Sequence, residues 1–186
     1  IQGWLMLGRA RAAFERARAR ANFSRPQWIL PAVDDSEPVL AIHPPEFLGV
    51  SISTQRCFRS TLPIASNVLL ARSARESLWA AIEDASPRAV VLSGFVDGYE
   101  EFVRGLHVRR PDILIRVLWH GTPMQLADPD ERRQYDCVLK LAGAGIVSRI
   151  GTLKTGEALG LVARGIDATD VFNPPPDGSP SGLAPK

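Results

Sequence analysis

The 186-residue chain has only two cysteines, Cys57 and Cys137, and neither sits in a CxxC pair or a Cys/His metal spacing. Two thiols so far apart are expected to stay reduced and packed, which excludes a disulfide-stapled scaffold and a zinc module. There is no GxGxxG and no GxxxxGK[ST], so the loops that cradle dinucleotide or nucleoside-triphosphate phosphates are missing. GxSxG and HExxH are absent too, leaving no support for a serine-hydrolase elbow or a zinc-protease helix. No apolar run approaches the roughly 18 residues that span a bilayer. The short apolar stretch Trp4–Leu7 precedes the arginines instead of following them, the reverse of a secretory leader.

What is present describes an ordinary globular domain: 45% hydrophobic and 23% charged residues, enough to bury a core in one unit of this length. The net charge of +2 is unevenly placed. Residues 1–25 hold six arginines against Glu15, a local +5, so the rest of the chain carries −3. The main body is therefore not a basic nucleic-acid binder. Leu5–Ala21, rich in alanine and arginine and free of proline, predicts a basic amino-terminal helix within residues 1–25. It is either solvated or lies with residues 4–20 on an anionic membrane surface, Trp4 and Leu5 dipping in. A proline- and glycine-rich tail or linker is expected over residues 174–186. Between them, residues 38–173 form the domain.

Its pattern alternates strands and helices. Val39–His43, Ala89–Leu92, Ile113–Trp119, Gly145–Ser148 and Ala168–Phe172 are short apolar runs suited to strands buried on both faces. Helices are predicted between them. One follows a capping box at Ser73–Glu76 and carries the stripe Leu78, Trp79, Ile82. A second is capped by Asp97 with Glu100. A third starts at Asp128–Pro129 with Glu131 closing its box, and a fourth covers Thr155–Arg164. Residues 44–72 fit either a strand or a helix start, with Asn67–Leu70 as a further strand candidate. Strict alternation with short connections specifies an α/β fold: a Rossmann-like parallel sheet with helices on both faces.

In such a sheet ligands collect beyond the carboxyl ends of the strands. The expected rim is polar and glycine-rich: His43, Glu46 and Gly49; Ser93 and Gly94; His120, Gly121 and Thr122; Arg149 and Lys154. His120 is the catalytic candidate, because it directly follows a buried strand and an imidazole suits removal of a proton from a hydroxyl. Gly121 would let a substrate approach the backbone. Ser93 and Gly94 would hold a hydroxyl-rich ligand, Glu46 and Gly49 an acceptor, and Arg149 and Lys154 a phosphate, while His43 takes a rim position equivalent to that of His120. Each also has a plain alternative, as a tight turn or a solvated charge. No metal or cofactor is called for.

The runs Val91–Phe95, Val117–Pro123, Lys154–Gly156 and Gly165–Asn173 resemble the amino-terminal domain of GT-B glycosyltransferases over roughly residues 38–175. Trp119-His120-Gly121-Thr122-Pro123 is also similar to the Trp-His-Gly-Thr-Pro motif of teichoic-acid-type polyol-phosphate transferases, in which the histidine is regarded as the base. That family continues with leucine and lysine where this chain has Met124 and Gln125. In the retaining nucleotide-sugar enzymes a histidine at this strand end helps hold the transferred sugar instead. The resemblance implies a domain that binds the hydroxyl acceptor, while a second Rossmann-like domain binds the nucleotide-sugar donor. No Glu-x7-Glu donor motif occurs, and a complete enzyme of this kind would be about twice as long. The expected activity is sugar transfer to a cell-envelope or secondary-metabolite acceptor in the cytoplasm, peripheral to the inner membrane face. A CDP-polyol phosphotransferase and a non-catalytic Rossmann-like binding module are the alternatives.

Overall fold

A computed structural model describes residues 38–171. The expectations placed on residues 1–25 and 174–186, and on the strand end at Phe172 and Asn173, lie outside these residues. Six strands form one sheet: β1 (Val39–His43), β2 (Thr61–Pro63), β3 (Ala89–Ser93), β4 (Leu114–Trp119), β5 (Arg149–Thr152) and β6 (Ala168–Asp170). Their order is β2-β1-β3-β4-β5-β6, and every neighbouring pair is parallel. Helices α1 (Leu48–Cys57), α2 (Arg72–Ala85), α3 (Tyr99–Arg109), α4 (Pro129–Gly143) and α5 (Glu157–Val162) make the crossovers. The α/β, Rossmann-like architecture predicted from the alternation is the one observed.

Side chains alternate across a strand, so each strand divides its residues between two faces. Leu40 and Ile42, Val90 and Leu92, and Ile115, Val117 and Trp119 share one core with Leu78 and Ile82 of α2, Phe102, Val103 and Leu106 of α3, and Val138 and Leu141 of α4. Val39, Ala41, Ala89, Val91 and Leu118 belong to a smaller second core with Cys57 of α1 and Phe58. Both cysteines are free thiols, as expected.

Several local expectations are corrected. Gly145–Ser148 is not a strand. Gly145, at φ +72°, turns the chain out of α4, and the amides of Ile146 and Val147 bond to the Leu141 carbonyl. These residues close a helix, and the ladder starts at Ser148, whose amide reaches the Ile115 carbonyl at 2.7 Å. Helix α2 begins at Arg72, so Ser73 falls inside its first turn. Glu76 bonds to Arg72 at 2.8 Å and makes no capping box. Asp97 does not cap α3, which starts from Gly98 at φ +84°; Asp97 pairs with Arg133 at 3.0 Å. A Cβ at position 98 would lie 2.6 Å from the Leu69 backbone, so only glycine fits. Asn67–Leu70 is no strand, since Val68–Leu70 forms a 3-10 turn. Asp128 does cap α4, accepting from the amides of Asp130 and Glu131. The ambiguous segment 44–72 contains α1, whose sheet-facing residues include Ser53 and Thr54, so no apolar stripe marks it.

Candidate functional site

Strand β1 is followed by β2 on one side and, after α2, by β3 on the other. The order therefore reverses between β1 and β3, and loops leaving their carboxyl ends diverge to open a crevice. A cleft of about 430 Å³ lies there, reaching from Pro44, Gly49 and Val50 past Gly94–Val96 to Trp119–Gly121 and on to Leu153–Lys154. That volume suits a small organic ligand.

Three polar side chains from three elements meet at its base. Thr54 Oγ1 of α1 is 2.6 Å from the Val50 carbonyl and 2.6 Å from Ser93 Oγ at the end of β3. Ser93 Oγ is 2.8 Å from His120 Nε2, just beyond β4. The chain is buried behind the imidazole, with Thr54 and Ser93 both at 0% exposure. His120 lines the cleft. Burial, with a smaller contribution from the positive charge of Lys154, lowers its pKa from 6.5 to about 4. At neutral pH it is an uncharged imidazole able to accept a proton.

The other expected site residues divide. Gly49, Gly94, Gly121 and Lys154 line the same cleft as His120. Gly121 has a different reason for its missing side chain than substrate approach: a Cβ there would lie 2.7–2.8 Å from the Trp119 ring, which covers it. Ser93 stands behind His120 and does not line the cleft. Thr122 turns away, its amide bonded to Gln125 Oε1 at 2.7 Å and its hydroxyl accepting from the Gln125 amide. Glu46 accepts from the Ser66 amide at 2.7 Å, outside the cleft lining. His43 is fully buried, and neither ring nitrogen makes a well-formed hydrogen bond to a side chain. Burial lowers its pKa, the Pro44 backbone and Glu46 acting in the opposite sense.

Arg149 is not on the rim. Since β5 starts at Arg149 instead of ending before it, the residue lies at the amino end of the sheet, paired with Asp167 at 2.8 Å. The start of α5 is occupied as well. Asp170 accepts from the amides of Gly156 (2.6 Å) and Ala158 (3.0 Å) and from Thr152 Oγ1 (2.9 Å), and the amide bonds hold its pKa low. An internal carboxylate thus fills the place where a phosphate would otherwise meet the helix. The charged side chains among the described lining residues are Lys154 and Glu131, which cancel. No group of three or more His, Cys, Asp or Glu side chains is arranged for a metal ion among the described residues.

Sequence reasoning missed Thr54, because the segment containing it fitted strand or helix equally, and the apolar walls Phe47, Phe95 and Leu153, which look like ordinary core residues. Gln125 and Gln134 of the cleft lining carried no signal either. No family model, curated protein or solved structure matches the chain. Its class is a parallel α/β domain with a cleft at the strand-order reversal. Among the described residues, no helix is long and apolar enough to cross a membrane.

Proposed function

We propose that this is the acceptor-side domain of a GT-B type glycosyltransferase, with the cleft at His120 holding the hydroxyl that attacks a nucleotide-activated sugar. The observation that carries this reading is a neutral imidazole lining a partly apolar cleft, backed by buried hydroxyls. A hydroxyl acceptor placed against His120 would give up its proton as the new bond forms, and the imidazole would take it. With a pKa near 4, His120 is always in the accepting form at neutral pH but is a weak base. The negative charge of a donor diphosphate arriving opposite would raise its basicity when it is needed. The near-cancelling charge of the cleft and the occupied start of α5 favour an acceptor over a diphosphate in this domain.

This proposal carries with it a nucleotide-sugar donor bound elsewhere, a cell-envelope or secondary-metabolite acceptor, and a cytoplasmic setting where such donors are made. A polyol-phosphate transferase of the same fold is the alternative reading, and it would use the same His120 of the cleft as its base. In an active preparation, His120→Ala should cut turnover roughly a hundredfold or more if the imidazole is the base. A raised KM with a smaller rate loss would make it a sugar-holding group, and activity within about twofold would remove it from the site. Calorimetric titration of the chain with nucleotide sugars and CDP-polyols should show nothing tighter than about millimolar, near −4 kcal/mol. Micromolar binding would put the donor site in this domain.

A further inference from the structure

We infer that Thr54 and Ser93 are positioning residues that fix His120 as the Nε2–H tautomer, leaving Nδ1 as its proton-accepting nitrogen. Counting the protons in the chain leads to this. Three contacts have to be supplied with hydrogens: Thr54 Oγ1 to the Val50 carbonyl, Thr54 Oγ1 to Ser93 Oγ, and Ser93 Oγ to His120 Nε2. The two hydroxyls have one proton each, and the neutral imidazole has one N–H.

The Val50 carbonyl can only accept. At 2.6 Å, two oxygens without a hydrogen between them would repel, so the Thr54 proton must lie on the Val50 side. Thr54 Oγ1 then accepts from Ser93, whose only proton is used at the 2.6 Å contact. Ser93 Oγ has none left to give the ring, so His120 Nε2 must donate across the 2.8 Å contact. With its one proton on Nε2, the neutral ring keeps a lone pair on Nδ1. That nitrogen has no hydrogen bond shown among the described residues, and the half-buried His120 ring lines the cleft, whereas His43 is fully buried.

The direction of the whole chain is thus anchored by a helix carbonyl four residues before Thr54. Positioning of this kind matters chemically because the two nitrogens of an imidazole point in different directions, Nε2 here toward buried Ser93, and a base is useful only where its lone pair meets the hydroxyl. The inference rests on the geometry of His120, and its catalytic meaning rests on the proposed function. The tautomer itself belongs to the free protein and is measured without substrate or activity.

The test is nitrogen NMR of the 15N-labelled histidine rings in the full chain at neutral pH, where protonated and bare ring nitrogens have well separated shifts. Wild type should show a protonated Nε2 and a bare Nδ1 for His120. In Thr54→Val, which keeps the shape of the buried side chain, Ser93 loses its acceptor and its proton becomes free for Nε2. The tautomer should flip to Nδ1–H, whereas Thr54→Ser should keep the wild-type pattern. A residue that served only packing would leave the tautomer unchanged in the valine variant. A protonated Nδ1 in wild type, or an unchanged tautomer in folded Thr54→Val, would overturn the inference. Either result would leave the transferase reading to the His120→Ala rate, so the two fail separately.

Discussion

The two faces of this sheet are built from the same strands and do different work. Toward α2, α3 and α4, the strands present Leu40, Ile42, Val90, Leu92, Ile115 and Val117, fully apolar and sealed. Toward α1, the alternate positions are smaller or polar: Ala41 and His43 on β1, Val91 and Ser93 on β3, Leu118 and then His120 at the end of β4. One face supplies the area that holds the fold, at roughly 25 cal/mol per Å² of apolar surface removed from water. The other gives up part of that stabilisation to place hydroxyls and imidazoles beside the cleft. A parallel sheet can carry this division because its period of two separates the sets without changing the backbone.

Substitutions one residue apart should expose the contrast most sharply. Leu92→Ala, on the sealed face, should cost roughly 2–5 kcal/mol in denaturant unfolding, since it leaves a cavity. Ser93→Ala, on the polar face, should cost about 1 kcal/mol, yet it removes the acceptor of His120 Nε2 and should change that ring's titration. Equal costs for the two would dissolve the distinction.

A smaller effect should appear in the pH dependence of stability. In the unfolded chain an imidazole takes up a proton near pH 6.5, while native His120 resists until about pH 4. The unfolded state therefore binds more protons in that window, and stability falls as pH drops through it. The loss is on the order of 2 kcal/mol, allowing for solvent at the open cleft. Chemical denaturation at several pH values should show it in wild type, and His120→Gln should lose that part of the slope. His43, shifted in the same direction by burial, leaves a residual slope of the same sign.

Much of the sealed face was readable beforehand, because buried parallel strands are short apolar runs and helices α2, α3 and α4 repeat apolar residues every three or four positions. Asp128–Pro129 was readable too, since a cap and a first-turn proline act locally. Ser73 and Asp97 look like caps by the same local rule, but Glu76 went to Arg72 and Asp97 to Arg133. Ile146 and Val147 look like a strand and instead close a helix, which moved Arg149 to the far end of the sheet. On the polar face, His120 could be found because it ends an apolar run. Thr54 could not, because its role depends on a contact with Ser93, 39 residues away.

The central claim is that the cleft keeps His120 as an uncharged base, and the most direct test is to follow its ring signals by NMR from pH 8 down to the acid limit of folding. A midpoint near 4, well below the ordinary imidazole value of 6.5, is the predicted result. A midpoint at the ordinary value near 6.5 would mean that the ring is solvated instead of buried against the cleft wall, contradicting the account.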